Sequence, residues 1–216
     1  MNQKNIFMAA IALLLVAFMV GGYFYQNQQS EQTTQTATQR QEALARAHAP
    51  TLGPAKAPVH IVEFLDPACE TCRAFYPFVK DLMAANPDKI RLSVRYAPFH
   101  RGSDQVVKVL EAARKQDKFW QTLEALLASQ AVWVIQHTAN VDLVWQPLSG
   151  LGLDIERLKS DMNSPEIARV IAQDLADATT LNVAQTPEFF VNGQGLPRFG
   201  YGELKKLVDD AVASAK

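Results

Sequence analysis

Cysteine is scarce in this chain of 216 residues, which contains only Cys69 and Cys72. This pair supplies at most half of a structural zinc site, and the four histidines show no paired spacing that would complete one. The formal net charge is -1, with no long run of one sign, so no surface for nucleic acid is predicted. A glycine-rich phosphate loop is also lacking, and no nucleotide, flavin or other cofactor is expected.

A long apolar run, Ile6 to Tyr25, follows Lys4 at the N-terminus. As a helix it spans roughly 30 Å, the thickness of the hydrocarbon core of a bilayer. The preceding positive charge keeps the N-terminus in the cytoplasm and sends the rest across the membrane. A cleaved signal peptide is the alternative, but its apolar region is shorter, about 7–15 residues, and ends at a small-residue site. We expect residues 1–25 to hold a single-pass transmembrane anchor; either way the remainder lies outside the cytoplasm.

Residues 26–53 are rich in Gln, Thr and Ala and have few large apolar side chains. Such a segment cannot bury enough surface to offset its ordering entropy, so a flexible linker is predicted. A short helix is expected within it at Gln39–His48. The folded domain is predicted to cover residues 54–216, and a hydrophobic content of 48% suffices for one domain with a sizeable core.

A β-α-β unit is predicted near the start of this domain. Val59–Leu65 is apolar and rich in β-branched residues, as expected of a strand buried on both faces. Apolar residues at helical spacing from Cys69 to Met83 predict a helix, which Pro77 should kink. Ile90–Tyr96 alternates apolar and polar residues and predicts a second strand, parallel to the first.

The stretch from about 103 to 181 is predicted to be helical throughout. Residues that can cap its helices are Ser103, Asp117, Asp154 and Ser164. It is too long for a single crossover and should form a helical subdomain. A strand at Phe189–Val191, a turn at Asn192-Gly193, a returning strand near Leu196–Phe199 and a last helix follow. One sheet with helices on both faces satisfies this order, so the fold class is α/β.

The two cysteines form a C-x-x-C motif just after a predicted buried strand and at the start of a helix. This position favours redox chemistry over half of a metal site. At the helix start, unpaired backbone N–H groups stabilise a thiolate on Cys69, which makes it the nucleophile and the good leaving group. Cys72 lies on the same side of the helix and should resolve the mixed disulfide.

Glu63 is predicted to point inward, because it shares a strand face with Ile61 and Leu65. A buried carboxylate is costly unless it is paired or protonated, and its pKa rises. Glu63 is therefore a candidate proton acceptor for Cys72. The alternative is a structural role, either paired with a Lys or Arg or reaching solvent at the strand end.

Three motifs together resemble the DsbA-like branch of the thioredoxin superfamily: VEFLDPACETC, Pro77 after the second cysteine, and QTPEFFVNG. The resemblance extends from about Pro54 to Ala213. It implies a thioredoxin-like fold with an inserted helical subdomain and an acidic residue, here Glu63, beneath the cysteine pair. It also implies that Thr186 and Pro187 form a cis-proline loop that pairs with the substrate backbone.

The same resemblance implies a function. Family members donate disulfides to cysteine-containing proteins that enter the periplasm, and a DsbB-like quinone reductase in the membrane reoxidises them. With the expected anchor, this places the chain in a bacterial inner membrane, with the catalytic domain in the periplasm.

Two departures from DsbA leave the direction of electron flow open. Glu70-Thr71 stands between the cysteines where DsbA has Pro-His, and the negative charge of Glu70 should make Cys69 less acidic and its disulfide less oxidising. Thr186 before the proline also occurs in isomerases and reductases of the superfamily. A reductase or isomerase, served by a DsbD-like electron donor, is therefore the second hypothesis. A metal-binding or peptide-holding module that uses the C-x-x-C motif is the third.

Two further residues near the motif have alternative roles. His100 follows the second predicted strand, where it could face the active site, although a surface loop histidine is the expectation. Arg73 is either a solvated helix residue or a source of positive potential near the thiolate.

Overall fold

The structure is a computed structural model that describes residues 35–215 and, before them, residues 18, 19, 22, 23, 25, 26, 28 and 29. The chain divides into two units, Met1–Glu42 and Ala43–Lys216. Within the described part, no helix has both the length and the hydrophobicity needed to cross a membrane. The anchor expected in residues 1–25 lies mostly outside the described residues and stays a prediction.

A five-stranded sheet forms the centre of the second unit. Its strands, in spatial order, are β1 (Thr51–Leu52), β3 (Ile90–Tyr96), β2 (Val59–Leu65), β6 (Glu188–Val191) and β7 (Gln194–Gly195). The central strand β2 is parallel to β3 and antiparallel to β6. The β-α-β unit predicted from the sequence is therefore present, and the hairpin of β6 and β7 adds to the other side of β2.

Helices cover both faces of this sheet. The helices of the described chain are, in order, α1 (residues 35–44), which crosses the division between the two units, α2 (Glu70–Ala85), α3 (Ser103–Arg114), α4 (Phe119–Ala128), α5 (Gln130–Trp133), α6 (Ile155–Asp161), α7 (Pro165–Leu181) and α8 (Tyr201–Ser214). Ile61 and Leu65 belong to the larger core, with apolar residues of α2 and α8. Val62 and Phe64 belong to the smaller core, with the C-terminal part of α7. This alternation follows from the two-residue period of a strand.

The segment between β3 and β6 is helical only at its two ends, which corrects the expectation of helix throughout. Between α5 and α6 the chain forms a small hairpin of β4 (Val134–Ile135) and β5 (Thr138–Ala139), a 3₁₀ helix (Val141–Leu143) and turns. Gln136 and His137 connect β4 to β5, and both have positive φ, at 48° and 59°. Such a two-residue connection reverses the chain and stops the helix.

Two of the four predicted helix caps are present. The side chains of Asp154 and Ser164 accept hydrogen bonds from the backbone N–H groups of Arg157 and Ile167. Ser103 does not cap α3; its hydroxyl donates to Asp66 instead. Asp117 has a φ of 57° and stands one residue too early to cap α4, which begins after Lys118.

The compact unit begins at Ala43, earlier than the expected start near Pro54. The reason is a buried charge network. Arg95 is fully buried, and its guanidinium donates to Asp174, to Asp177 and to the backbone carbonyl of Ala43. Arg46 binds Asp177 at 2.7 Å. Residues assigned to a flexible linker thus complete a buried ion network.

The returning strand after the Asn192-Gly193 turn is shorter than expected and lies earlier. Val191 pairs with Gln194 directly across the turn, and β7 ends at Gly195, so Leu196–Phe199 contains no strand.

Candidate active site

The cysteine pair lies where the central strand β2 passes into helix α2. Asp66–Ala68 form a turn in which the N–H of Cys69 donates to the carbonyl of Asp66 at 3.0 Å. Cys69 is the residue before the first helical position, and Cys72 lies one turn into α2. Both are free thiols in this structure. Cys72 is fully buried, and Cys69 is 6% exposed.

The pKa of the Cys69 thiol is lowered to about 5. The largest cause is the hydrogen bond from the Cys72 thiol; burial acts in the opposite direction. The Thr186 side chain and the backbone N–H groups of Cys72 and Thr71 lower the pKa further. The helix start therefore supplies the donors that the sequence predicts for a nucleophilic thiolate.

The pKa of Cys72 is shifted in the opposite direction. Its pKa is raised well above the usual value, first by burial, then by its hydrogen bond to Cys69 and by the charge of Glu63. Glu63 is fully buried in the middle of β2, and its carboxylate oxygens have no hydrogen-bond partner among the described residues. Burial, followed by the charge of Cys69, raises the pKa of Glu63 to about 8. Glu63 thus lies beneath the pair with an acidity suited to proton exchange near neutral pH.

The third predicted component is also next to the cysteines. The Thr186-Pro187 peptide bond is cis. Sγ of Cys69 donates a hydrogen bond to the carbonyl oxygen of Thr186 at 3.2 Å. Pro187 is buried and leads directly into β6, which pairs with β2 at Glu63. Pairing of β6 with β2 thus brings two segments more than a hundred residues apart into one site.

Asp66 is a part of the site that the sequence analysis did not identify. Its buried carboxylate accepts hydrogen bonds from the N–H of Ala68 at 2.9 Å, from the N–H and Nδ1 of His100 at 2.8 Å, and from the hydroxyl of Ser103. This side chain joins the turn before the cysteines to the start of α3. A charged residue directly after a buried strand was the signal available in the sequence.

His100 is closer to the active site than a surface loop histidine would be. Its pKa is raised: burial lowers it, but the hydrogen bond to Asp66 and the charges of Asp66, Cys69 and Glu70 outweigh that effect. Gln130 was also missed. Its buried amide donates to the carbonyls of Pro67 at 2.9 Å and Cys69 at 3.0 Å, so α5 holds the backbone of the turn.

The residues between and after the cysteines are exposed. Glu70 is exposed, and its carboxylate lies 3.4 Å from Nδ1 of His137. The main causes of the low pKa of Cys69 are hydrogen bonds rather than the charge of Glu70. Arg73 is exposed and lines a cleft with Tyr76. Ligand atoms of Glu70, His100 and His137 also lie within 4.8 Å of one another, close enough for a metal ion.

This arrangement is that of a dithiol active site. An acidic thiol at a helix start, a buried partner thiol three residues on, and a buried carboxylic acid beneath them can exchange a disulfide with another protein. Together with the sheet order, they define a thioredoxin-fold thiol:disulfide oxidoreductase.

Comparison with known proteins agrees with this assignment. A family model described as "Thioredoxin" matches residues 45–210. The chain belongs to this family, in its DsbA-like branch. The match begins close to Ala43, where the compact unit starts.

Individual relatives fall into two groups. A "Probable disulfide bond formation protein D" of Bacillus anthracis is 30% identical over 179 residues, covering 78% of this chain and 80% of the relative. The "Na(+)/H(+) antiporter NhaA" of Herminiimonas arsenicoxydans is 32% identical over 144 residues, 67% of this chain but 22% of the antiporter. The chain spans a quarter or less of the length of the antiporters it matches first.

A solved structure extends the likeness to three dimensions. The crystal structure of a thioredoxin-like oxidoreductase from Silicibacter pomeroyi DSS-3 matches with a TM-score of 0.70 and 34% identity, and covers 81% of this chain and 98% of that one.

Proposed function

We propose that this chain donates disulfides to cysteine-containing exported proteins outside the cytoplasm, and that its N-terminal segment tethers it to the membrane. The observation that carries the donor role is the low pKa of Cys69, about 5. A stabilised thiolate favours the reduced form of the pair, so the disulfide form readily oxidises the thiols of another protein.

The proposed reaction begins with the Cys69–Cys72 disulfide. A client thiolate attacks Sγ of Cys69, the bond between the two cysteines breaks, and Cys72 leaves as a thiolate. Because burial raises the pKa of Cys72, this thiolate takes a proton, and Glu63 supplies it. A second client thiolate then attacks the client sulfur of the mixed disulfide, and Cys69 leaves as a stabilised thiolate. Two electrons pass from the client to the pair, which a DsbB-like membrane oxidase must remove again.

The acidity of Cys69 also sets an expected potential. A pKa of about 5 lies between about 7 for thioredoxin and about 3.5 for DsbA. We expect a redox potential between their values of about -270 mV and about -120 mV. The reductase or isomerase, with a DsbD-like donor, is the competing function, since Thr186 beside the proline is compatible with it.

The test is the equilibrium of the full-length protein, purified in detergent, with glutathione buffers, following the fraction of Cys69 and Cys72 in the disulfide. A potential clearly more oxidising than that of thioredoxin supports the donor role. A potential at or below that of thioredoxin overturns it in favour of the reductase.

Trapping experiments then test the roles of the two thiols. With unfolded clients that carry a disulfide, the Cys69 thiolate of Cys72→Ser should attack one client sulfur, displace the other as a thiolate and accumulate as a mixed disulfide, whereas Cys69→Ser should be inactive and trap nothing. The opposite pattern would reverse the assigned roles.

The proposed location rests on Lys4 and the apolar run Ile6–Tyr25. Expressed in a bacterium, the full chain should sediment with membranes, and protease added to spheroplasts should digest the catalytic domain. Protection of that domain from protease would place it in the cytoplasm and contradict the proposal.

A further inference from the structure

Three side chains with metal-binding atoms meet at the N-terminal end of α2. Glu70 is the first residue of that helix, His100 precedes α3, and His137 lies in the turn between β4 and β5. One ligand atom from each lies within 4.8 Å of those of the other two. The thiol chemistry derived above needs none of the three as a reactant.

His100 is held in the way that metal-binding histidines are held. Its Nδ1 lies 2.8 Å from the Asp66 carboxylate, which leaves Nε2 as the nitrogen available to an ion. A carboxylate on the second ring nitrogen fixes the orientation of the imidazole and raises its basicity as a ligand. Asp66 is itself fully buried and fixed by Ala68 and Ser103. The orientation of His100 is therefore set before any ion binds.

His137 is placed by a tight hairpin. Gln136 and His137 form its two-residue turn with φ of 48° and 59°, positions usually taken by Asn or Gly. The hairpin is attached to the segment that carries His100, because the N–H of Ala139 donates to the carbonyl of Arg101 at 2.8 Å. The ring centroids of His100 and His137 lie 6.4 Å apart as a result.

We propose that Glu70, His100 and His137 form a binding site for a divalent transition-metal ion of the zinc class, next to the redox-active cysteine. Two imidazoles and one carboxylate are a set of protein ligands that Zn²⁺ takes when a fourth position stays open. The carboxylates of Glu70 and Asp66 offset the charge of the ion. The site differs from chelation by the C-x-x-C motif, because it uses neither thiol.

The distances suit this ion after a small closure. Tetrahedral bonds of about 2.0 Å separate neighbouring ligand atoms by about 3.3 Å. The side chains of Glu70 and His137 are 50% and 76% exposed, so they can rotate toward His100 at little cost. Their present contact of 3.4 Å already matches that spacing.

The experiment is a Zn²⁺ titration of the full-length protein in the disulfide form, in which neither Cys69 nor Cys72 can act as a thiolate ligand. We expect one ion per chain. His137→Ala and Glu70→Gln should each weaken binding by at least about tenfold. Gln136→Ala is the matched control, because it changes the other residue of the same turn and should leave the affinity unchanged.

Each of the following outcomes would contradict the proposed metal site. Absence of binding by the disulfide form, or affinity unchanged in His137→Ala, would mean that Glu70 and His137 form an ion pair only. Binding restricted to the reduced form would assign the ion to the thiols. Co²⁺ provides a second readout: the disulfide form is expected to show the absorption bands of tetrahedral Co²⁺, and the absence of these bands would contradict the proposal.

Discussion

At the scale of single residues, the active site depends on two chemically identical thiols with opposite acidities. Cys69 receives hydrogen bonds that stabilise its thiolate, whereas Cys72 is buried between Cys69 and the carboxyl of Glu63. Under the proposed function, this difference in acidity gives each thiol a separate step: the acidic thiol reacts with the client, and the buried thiol closes the disulfide. Three residues of spacing bring them together, but their surroundings separate their roles.

Thr186 is predicted to contribute to the difference in pKa between the two thiols. Thr186→Val keeps the side-chain shape but removes the hydroxyl that lowers the pKa of Cys69. Since a hydrogen bond to a charged group contributes about 1.5 kcal/mol or more, the pKa of Cys69 should rise by about one unit and the disulfide should become less oxidising. The thiolate absorbance of the reduced protein, measured against pH, tests this. Thr186→Ser keeps a hydroxyl and should behave like the wild type; an unchanged pKa in Thr186→Val would exclude the contact.

Glu63 is predicted to make the stability of the reduced protein depend on pH. Its pKa rises from 4.5 in the unfolded chain to about 8 in the folded one, mainly through burial and then through the charge of Cys69. Between these values the folded protein holds a proton that the unfolded chain has lost, so the free energy of unfolding falls as pH rises.

Glu63→Gln removes that proton exchange. Relative to wild type, the variant should gain stability steadily as pH rises from 4.5 to about 8 and no further above it. Urea denaturation of both proteins in reductant measures the difference, in which the other titrating groups largely cancel. A difference that does not vary with pH would show that Glu63 has an ordinary pKa. Slower resolution of mixed disulfides by Glu63→Gln is the parallel kinetic expectation.

At the scale of secondary structure, the site is assembled where elements end. Strand β2 ends at Leu65, α2 begins at Glu70, and α5 holds the turn between them through Gln130. Such ends expose unpaired backbone groups, so they are where hydrogen bonds to a thiolate are available. The strands and helices themselves supply rigidity and bring the ends together.

Helix α7 depends on its first turn for stability. The hydroxyl of Ser164 accepts from the N–H of Ile167, and Pro165 occupies the first helical position. Ser164→Ala should lower the free energy of unfolding by ~1 kcal/mol without changing the redox potential. Ser160→Ala, at an exposed position near the end of α6, is the control and should change stability by less than about 0.5 kcal/mol. Equal stabilities for the two variants in urea would show that the cap contributes nothing.

At the scale of the whole molecule, the buried network of Arg95 joins segments distant in sequence. Asp174 and Asp177 come from α7, and the carbonyl of Ala43 comes from the start of the compact unit. A buried charge is tolerated only when it is paired and hydrogen-bonded on all sides. The residues from Ala43 to the first strand are therefore part of the fold.

This network predicts where the chain can be shortened. A protein that begins at Gln35 should fold and exchange disulfides. One that begins at Pro54 loses β1, the buried Leu44 and the Arg46–Asp177 pair. Its free energy of unfolding should be lower by ~3 kcal/mol or more, because apolar burial and hydrogen bonds to charged groups are both removed. Urea denaturation of the two proteins measures this difference in stability. Equal midpoints would show that residues 43–53 belong to a flexible linker and do not stabilise the fold.

The α/β class, the β-α-β unit, the C-x-x-C position and the inward side of Glu63 could all be predicted from the amino-acid sequence. These properties depend on hydrophobic periods of two and 3.6 residues and on the order of strands and helices. Both are local patterns that can be read directly from a sequence. The hairpin of β4 and β5 was not predicted, because turn residues with positive φ, such as His137, give little signal outside Asn and Gly.

The placement of Asp66, His100 and Gln130 at the site, and the start of the compact unit at Ala43, depend on three-dimensional contacts that no pattern in the sequence indicated. Asp66 meets His100, Gln130 meets the carbonyl of Cys69, and Thr186 meets its sulfur only once β6 pairs with β2 and the helical segment folds over the turn. Arg95 likewise needs α7 and Ala43 at once. The physical reason is that burial and charge pairing are properties of three-dimensional neighbours, which no local pattern of residues encodes.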